Sequence, residues 1–201
     1  MKIGPKYKIA RRLGAPVFEK TQTQKFVLRS ERKKVVRMKR PKSEFGLQLN
    51  EKQKARFTYA VSEKQFRNYV KEALSKKSNH PAQILFSLLE SRLDNVVARI
   101  GLSTTRLGAR QMASHGHIMV NGKRNTIPSR RLRIGDIISI RPASLNKPLF
   151  ANMEENIKNT TTPSWIKFDI NKKTAEIIGS PQLAGSDVMF DLNAVIEFYS
   201  R

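Results

Sequence analysis

The stretch SRLDNVVARIGLSTTRLGARQMASHGHIMVNGKRNTIPSRRLRIGDIISI, Ser91 to Ile140, decides the fold. Just upstream and into it, Leu85, Leu88, Leu89, Leu93, Val96, Val97 and Ile100 fall on one face at 3.6-residue spacing, which predicts one core-facing helix. Gly101 follows, where a left-handed C-cap is easiest. Ser103 or Thr104 can cap a second helix running to Ser114, and Gly116 can end it. The apolar period then becomes two. Ile118 and Val120 precede Asn121-Gly122, the dipeptide that most strongly signals a hairpin, and Ile127 follows it. After the turn at Gly135-Asp136, Ile137, Ile138 and Ile140 supply a third strand. The expected unit is two helices packed on a short antiparallel sheet.

On a continuous first helix, Arg92, Asn95 and Arg99 lie together beside the apolar stripe, while Glu90 and Asp94 project from the far side. Arg106 and Arg110 are one turn apart on the second helix, with Gln111 beside them. Lys123 and Arg124 follow the hairpin turn, and Arg130, Arg131 and Arg133 fill the next loop. Guanidinium forks match phosphate oxygens two at a time, so this grouping suits a nucleic-acid backbone. Residues 81–140 hold nine bases and only three acids, Glu90, Asp94 and Asp136, which is too few to pair them all.

Charge over the whole chain points the same way. Lys and Arg number 39 against 16 Asp and Glu, a net charge of +23. Residues 1–80 carry 23 bases and 6 acids, whereas 141–201 carry 7 of each. A cation concentrated in this manner implies a polyanionic partner. A membrane surface would call for a basic helix with a broad apolar face or a lipidation signal, and neither is found. No run has the apolar length of a transmembrane helix, and the N-terminus lacks the apolar core of a signal peptide. Cysteine is absent, which excludes disulfides, thiolate metal sites and cysteine nucleophiles.

Residues 1–42 read as an extended basic arm, with Lys6, Arg11 and Arg12 early and Arg32 to Lys42 crowded around Pro41. Such a block repels itself and is expected to be mobile until it meets a polyanion. Leu49 to Lys77 reads as one helix, with Lys52, Lys54, Arg56 and Arg67 among its candidate contacts to a polyanion and Phe57, Val61, Phe66, Val70 and Leu74 inward. Tyr59 and Tyr69 are either stacking platforms or core-edge residues, the second being commoner. Ser144 to Pro163 is polar, with a short helix expected around Glu154. Trp165 to Ile178 reads as a hairpin, and Asp191 can cap a terminal helix carrying Val195, Ile196 and Phe198. The class is α+β. The arm occupies 1–42, a helical domain 43–90 is completed by 180–201, and the helix-pair-plus-sheet domain with its C-terminal hairpin spans 91–179.

These segments resemble the small-subunit ribosomal protein S4 family nearly end to end. Gly4-Pro5-Lys6 with Arg11-Arg12 is similar to that family's start. FGLQLNEKQKARFTYAVSEKQFRNYVKEA (Phe45 to Ala73) is similar to its helical segment. LLESRLDNVVARIG, ARQMASHGHIMVNGK and IPSRRLRIGDIISI are similar to its S4-type RNA-binding domain, and PSWIKFD and VIEFYSR to its C-terminal part. The resemblance implies a ribosomal protein that binds the 5′ domain of 16S-type ribosomal RNA and nucleates small-subunit assembly. It also implies a position where mRNA enters the subunit, with a contribution to translational accuracy, and contacts with neighbouring small-subunit proteins.

By the same resemblance, Arg92, Arg99, Arg106, Arg110, Gln111, His115 and Lys123 face RNA, together with Arg130 and Arg131 of the following loop. Lys39, Arg40 and Lys42 form the tract near the mRNA entrance, and Val195, Ile196, Phe198 and Tyr199 lie near another protein. Many bacterial relatives carry a metal-binding cysteine cluster in the arm. This chain has none there, so no metal and no cofactor is expected. Neither a homo-oligomer nor a membrane is implied, and the location is a ribosome, cytoplasmic or organellar.

Two rival classes fit the residues less well. Arg92-Leu93-Asp94 resembles the tripeptide of RNA pseudouridine synthases, but it lies inside the first helix of the RNA-binding unit, and the rest of the chain is too short and basic for their catalytic domain. A stand-alone RNA-binding module would share 91–140 but not the N-terminal match or the two C-terminal segments. His115-x-His117 lacks a third metal ligand, and no nucleophile elbow or phosphate-cradling loop is present. The chain is read as a binding protein and not an enzyme.

Overall fold

A computed structural model of the chain describes residues 3–27, 43–76, 80–151, 153–169, 172–183 and 188–200. The chain divides into two compact units, Met1–Leu85 with Leu183–Arg201, and Phe86–Gln182.

The first unit is helical among its described residues. Helix α1, Lys6–Leu13, ends at Gly14 in the left-handed region (φ 71°). Its Ala10 and Leu13, with Val17 and Phe18, bury against Phe57. Residues 3–27 are therefore not the extended arm expected from composition. A short amphipathic helix finds enough apolar surface once Phe57 is brought to it. Ser43 caps α2, Glu44–Thr58, by accepting from the Gly46 amide at 3.2 Å. Ser62 caps α3, Glu63–Ser75.

The single helix expected over Leu49 to Lys77 is thus two. Ala60 at φ 51° breaks it, and the buried Tyr59, Ala60 and Val61 form the corner. Tyr59 and Tyr69 are both buried, so both are core residues. Helix α4, Pro81–Glu90, carries the chain into the second unit.

Helix α5, Leu93–Arg99, is separate from α4. The helix expected to run unbroken to Ile100 is interrupted at Ser91-Arg92. There the backbone pairs with a distant loop: Leu132 N donates to Ser91 O (2.8 Å), Leu93 N to Arg130 O (2.9 Å) and Asp94 N to Pro128 O (3.0 Å). Helix α6, Arg106–Ser114, is capped by Thr105, whose hydroxyl accepts from Gly108 N at 3.0 Å.

Strands β1, Ile118–Val120, and β2, Lys123–Asn125, are joined by a turn with positive φ at both Asn121 (53°) and Gly122 (74°), the geometry that suits a two-residue hairpin. Asn121 also ties the turn to β3, Ile137–Ile140, donating to Asp136 Oδ1 at 2.7 Å and accepting from Ile137 N at 2.8 Å. After helix α7, Met153–Lys158, strands β4, Ile166–Asp169, and β5, Thr174–Ile177, complete one antiparallel sheet in the order β2-β1-β3-β5-β4.

The core of this unit draws on α5, α6, α7 and the sheet, with Leu93, Val96, Val97, Ala109, Met112, Ile118, Ile138 and Ile177 buried. The hairpin expected over Trp165 to Ile178 forms as β4 and β5, and its second strand also pairs with β3. The terminal helix α8, Leu192–Ser200, packs on α2 and α3 in the first unit, and Asp191 Oδ1 accepts from Asn193 N at 2.8 Å.

Candidate nucleic-acid interface

The break between α4 and α5 rearranges the charges. Glu90 and Asp94 do not project outward; they are 1% and 2% exposed. Arg92, outside the helix with extended backbone, turns its guanidinium back onto Asp94, with Nε to Oδ1 at 2.9 Å and Nη2 to Oδ2 at 2.7 Å. From α6, Arg110 reaches the same Oδ2 through Nε (2.8 Å) and Nη2 (2.6 Å). Glu90 receives Arg99 as a bidentate fork, Nε to Oε2 and Nη2 to Oε1, both at 2.9 Å. Glu90 Oε2 also accepts from Asn95 Nδ2 at 2.8 Å, and Asn95 Oδ1 accepts from Arg106 Nε at 2.7 Å.

Four arginines from three segments are thereby fixed around two buried carboxylates and one amide. The group carries 4 − 2 = +2. Fork-to-carboxylate pairing of this kind is strong and directional, so it orients the guanidinium planes as well as neutralising the acids.

Of the residues expected to face RNA, Arg99, Arg106 and Arg110 are partly exposed at this cluster, and Gln111 and His115 are exposed farther along α6 and just after it. Lys123, Arg130 and Arg131 are exposed too. Arg92 is not available at the surface: at 1% exposure it braces Asp94.

Sequence reasoning placed Glu90, Asp94 and Asn95 on the helix but did not foresee that they bond the arginines. It named Arg124 but not Arg141 or Lys147, which gather with it near His117; Arg124 Nη2 donates to His115 O (3.3 Å) and the Arg141 backbone N to His117 O (2.8 Å). Gly116 admits this arrangement, since a Cβ there would collide with the Arg124 guanidinium. His117 shares a hydrogen bond with Ser144 Oγ at 3.0 Å. Burial, then the neighbouring cations Lys147, Arg124 and Arg141, hold its imidazole below the ordinary range. The placement of Arg141 just after β3 was the available signal.

The first unit uses several of its expected RNA contacts internally. Lys52 is buried, pairs with Glu63 at 2.9 Å and lies 4.6 Å from the Phe198 ring centroid. Lys54 pairs with Glu51, and Arg56 bonds Gln53 and stacks on Phe57. Lys6 sits over the Phe18 ring, while Arg11, Arg12 and Arg67 are exposed. Burial works to raise the Glu63 carboxyl, but hydrogen bonds from Lys52 and Tyr199 outweigh it and leave it low. Tyr199, which donates to Glu63 at 2.7 Å, is pushed well up by burial and by that carboxylate. Val195 and Ile196, expected at a protein contact, are core residues of this unit; Phe198 and Tyr199 are half-buried. Lys39, Arg40 and Lys42 lie outside the described residues.

Residues 1–90 match the family model for the ribosomal protein S4/S9 N-terminal domain, and 91–138 match the S4 domain. The small ribosomal subunit protein uS4 of Chloroflexus aurantiacus is 36% identical over 99% of this chain and 98% of its own length. The uS4 of Akkermansia muciniphila is 39% identical over 98% of each. The uS4 of Syntrophomonas wolfei reaches 42% over 79% of this chain and 76% of its own.

The chain belongs to the uS4 family. That family is a structural class of ribosomal proteins and not a class of enzymes. In this member the buried arginine–carboxylate cluster falls wholly within the S4 domain, apart from Glu90, the last residue of the preceding match.

Proposed function

We propose that this chain is a structural, RNA-binding protein of the small ribosomal subunit, with the face around Arg99, Arg106 and Arg110 as its central contact to ribosomal RNA. The observation that carries the reading is the fixing of those three guanidiniums, from two helices, around two buried carboxylates and the Asn95 amide in a chain of net charge +23. An RNA helix displays phosphates and 2′-hydroxyls more openly than base edges, so rigid forks read the contour of a folded junction. Gln111, His115, Lys123, Arg130 and Arg131 extend the contact, and Arg11, Arg12 and Arg67 add backbone neutralisation from the first unit. The target is the 5′ domain of 16S-type RNA, bound early so that the domain folds around the protein. The ribosome is bacterial or organellar.

Counterion release makes such binding steeply salt-dependent, with a slope of about −0.7 to −0.9 per phosphate contact. The test is the full-length double variant Arg106→Glu/Arg110→Glu, titrated against 5′-domain RNA at moderate salt. A loss of affinity of at least about a hundredfold is expected, and an unchanged Kd rejects this face. Lys39, Arg40 and Lys42 are assigned to the mRNA entrance on family resemblance. Neutralising them is expected to spare subunit assembly but slow translation through a stable hairpin; normal passage overturns that assignment.

A further inference from the structure

We infer that Glu90, Asp94 and Asn95 are positioning residues of the RNA face, acting through the arginines they hold; this rests on the reading that the face binds RNA. Charge alone argues against acids at a phosphate-binding surface, since each carboxylate subtracts attraction. Here both acids are buried and engaged by forks. Asp94 takes Arg92 and Arg110, and Glu90 takes Arg99 and Asn95. Asn95 extends the chain of bonds to Arg106.

The topology explains why these three positions suffice. Glu90 closes α4, while Asp94 and Asn95 occupy the first turn of α5. Arg106 and Arg110, one turn apart on α6, dock on the adjacent pair Asn95 and Asp94. The spacing of the α6 guanidiniums is thus registered against α5 by two neighbouring residues. The side chains of Arg99 and Arg110 remain 27% and 21% exposed, so part of each stays open to an RNA phosphate while Nε and Nη2 are held. A long side chain already ordered in the folded protein loses less freedom when phosphate arrives.

A positioning role predicts an effect opposite in sign to simple electrostatics. Glu90→Gln and Asp94→Asn each raise the net charge by one. If the acids merely dilute a basic surface, both variants bind all RNA more tightly. If they position, affinity for the 5′-domain RNA falls about tenfold or more, while affinity for a random-sequence RNA of equal length holds or rises. The specificity ratio therefore drops.

Asn95→Ala is the charge-neutral companion. It is expected to weaken specific binding and to reduce the salt slope by about one contact, roughly 0.7 to 0.9. The measurement is fluorescence anisotropy with the full chain on both RNAs across a salt series. It is made at a temperature where Trp165 emission shows the variant folded. A parallel tightening on both RNAs by Glu90→Gln and Asp94→Asn, or an unchanged ratio and slope for Asn95→Ala, overturns the positioning role even where the RNA face itself stands. If instead Arg106→Glu/Arg110→Glu leaves binding intact, it is the RNA-face reading that fails.

Discussion

Replacing Arg92 by Met should strongly destabilise the second unit. The Arg92 and Asp94 side chains are 2% and 3% exposed, and two charge-assisted bonds of 2.9 and 2.7 Å join them. Met fills most of the space of the Arg stem, so the chief loss is the charge and its donors, not a cavity. Removing one member of a buried ion pair costs about 3–5 kcal/mol, because the other charge stays buried. Arg110 still reaches Asp94 Oδ2, which places the expectation at the lower end, about 3 kcal/mol.

For a unit the size of Phe86–Gln182, each kcal/mol moves Tm by roughly 4–8 °C, giving a drop of roughly 12–24 °C. Urea and thermal melts of the full chain followed by Trp165 emission report this unit. Trp165 is the chain's one tryptophan and packs against the core of the same unit. The double variant Arg92→Met/Asp94→Leu removes both charges, and Arg110, partly exposed, can hydrate. It is expected to recover at least half of the loss. The reasoning is refuted if Arg92→Met melts within about 0.5 kcal/mol of the parent chain, or if the double variant is no more stable than the single.

Glycine substitutions separate backbone strain from crowding. At Gly101 (φ 85°) a Cβ would lie 2.8 Å from Thr160 Oγ1 and 3.1 Å from both Asn156 O and Ile157 Cα, so Gly101→Ala should cost about 2–4 kcal/mol in the Trp165 melt. At Gly122 (φ 74°) nothing lies within 4 Å, so Gly122→Ala should cost only about 1 kcal/mol. Because the folded His117 imidazole is held below its ordinary value, the unfolded chain takes up that proton first. Stability is complete above about pH 6.5 and declines as pH falls below it, and a His117→Gln variant should show a shallower decline in melts between roughly pH 7 and 5. Tyr199→Phe removes a donor to Glu63 and should cost about 1 kcal/mol in unfolding of the first unit followed by circular dichroism; carbon-detected NMR should show the Glu63 carboxyl titrating higher than in the parent chain.

Patterns set by near neighbours were legible from sequence. The alternation at Ile118 and Val120, the Asn121-Gly122 turn and the glycines at 101 and 116 depend on local sterics and lie where expected, whereas Ile127 falls beyond β2 and is exposed. The breaks at Ser91-Arg92 and Ala60 were not legible. Neither contains glycine or proline, and both keep the apolar spacing that made each pair look like one helix. The first break exists because the Pro128–Leu132 loop supplies backbone partners from more than thirty residues away, beyond any local pattern.

The site inherited that error. A helical wheel drawn through the break puts Glu90 and Asp94 outside, whereas extended backbone at Arg92 lets the following turn bring them in. Arg110 finds Asp94 across sixteen residues of sequence, a pairing no spacing rule encodes. Composition misled in the arm for a related reason: Leu13, Val17 and Phe18 look sparse among lysines until Phe57 completes their contact.

The two kinds of cation in this chain have different physical work. Exposed bases such as Arg11, Arg12 and Arg67 pair with no buried acid among the described residues, and their attraction to phosphate is long-ranged, unspecific and screened by salt. Arg99, Arg106 and Arg110 have two carboxylates and an amide behind them, which lowers the local charge but fixes direction. Raising salt should therefore weaken binding to any RNA through the first group while leaving discrimination by the second comparatively intact. The ratio of specific to random-RNA affinity should hold or rise between low and moderate salt even as both affinities fall. A ratio that collapses in step with affinity would mean that the fixed forks contribute charge alone, and that the buried acids have no part in recognition.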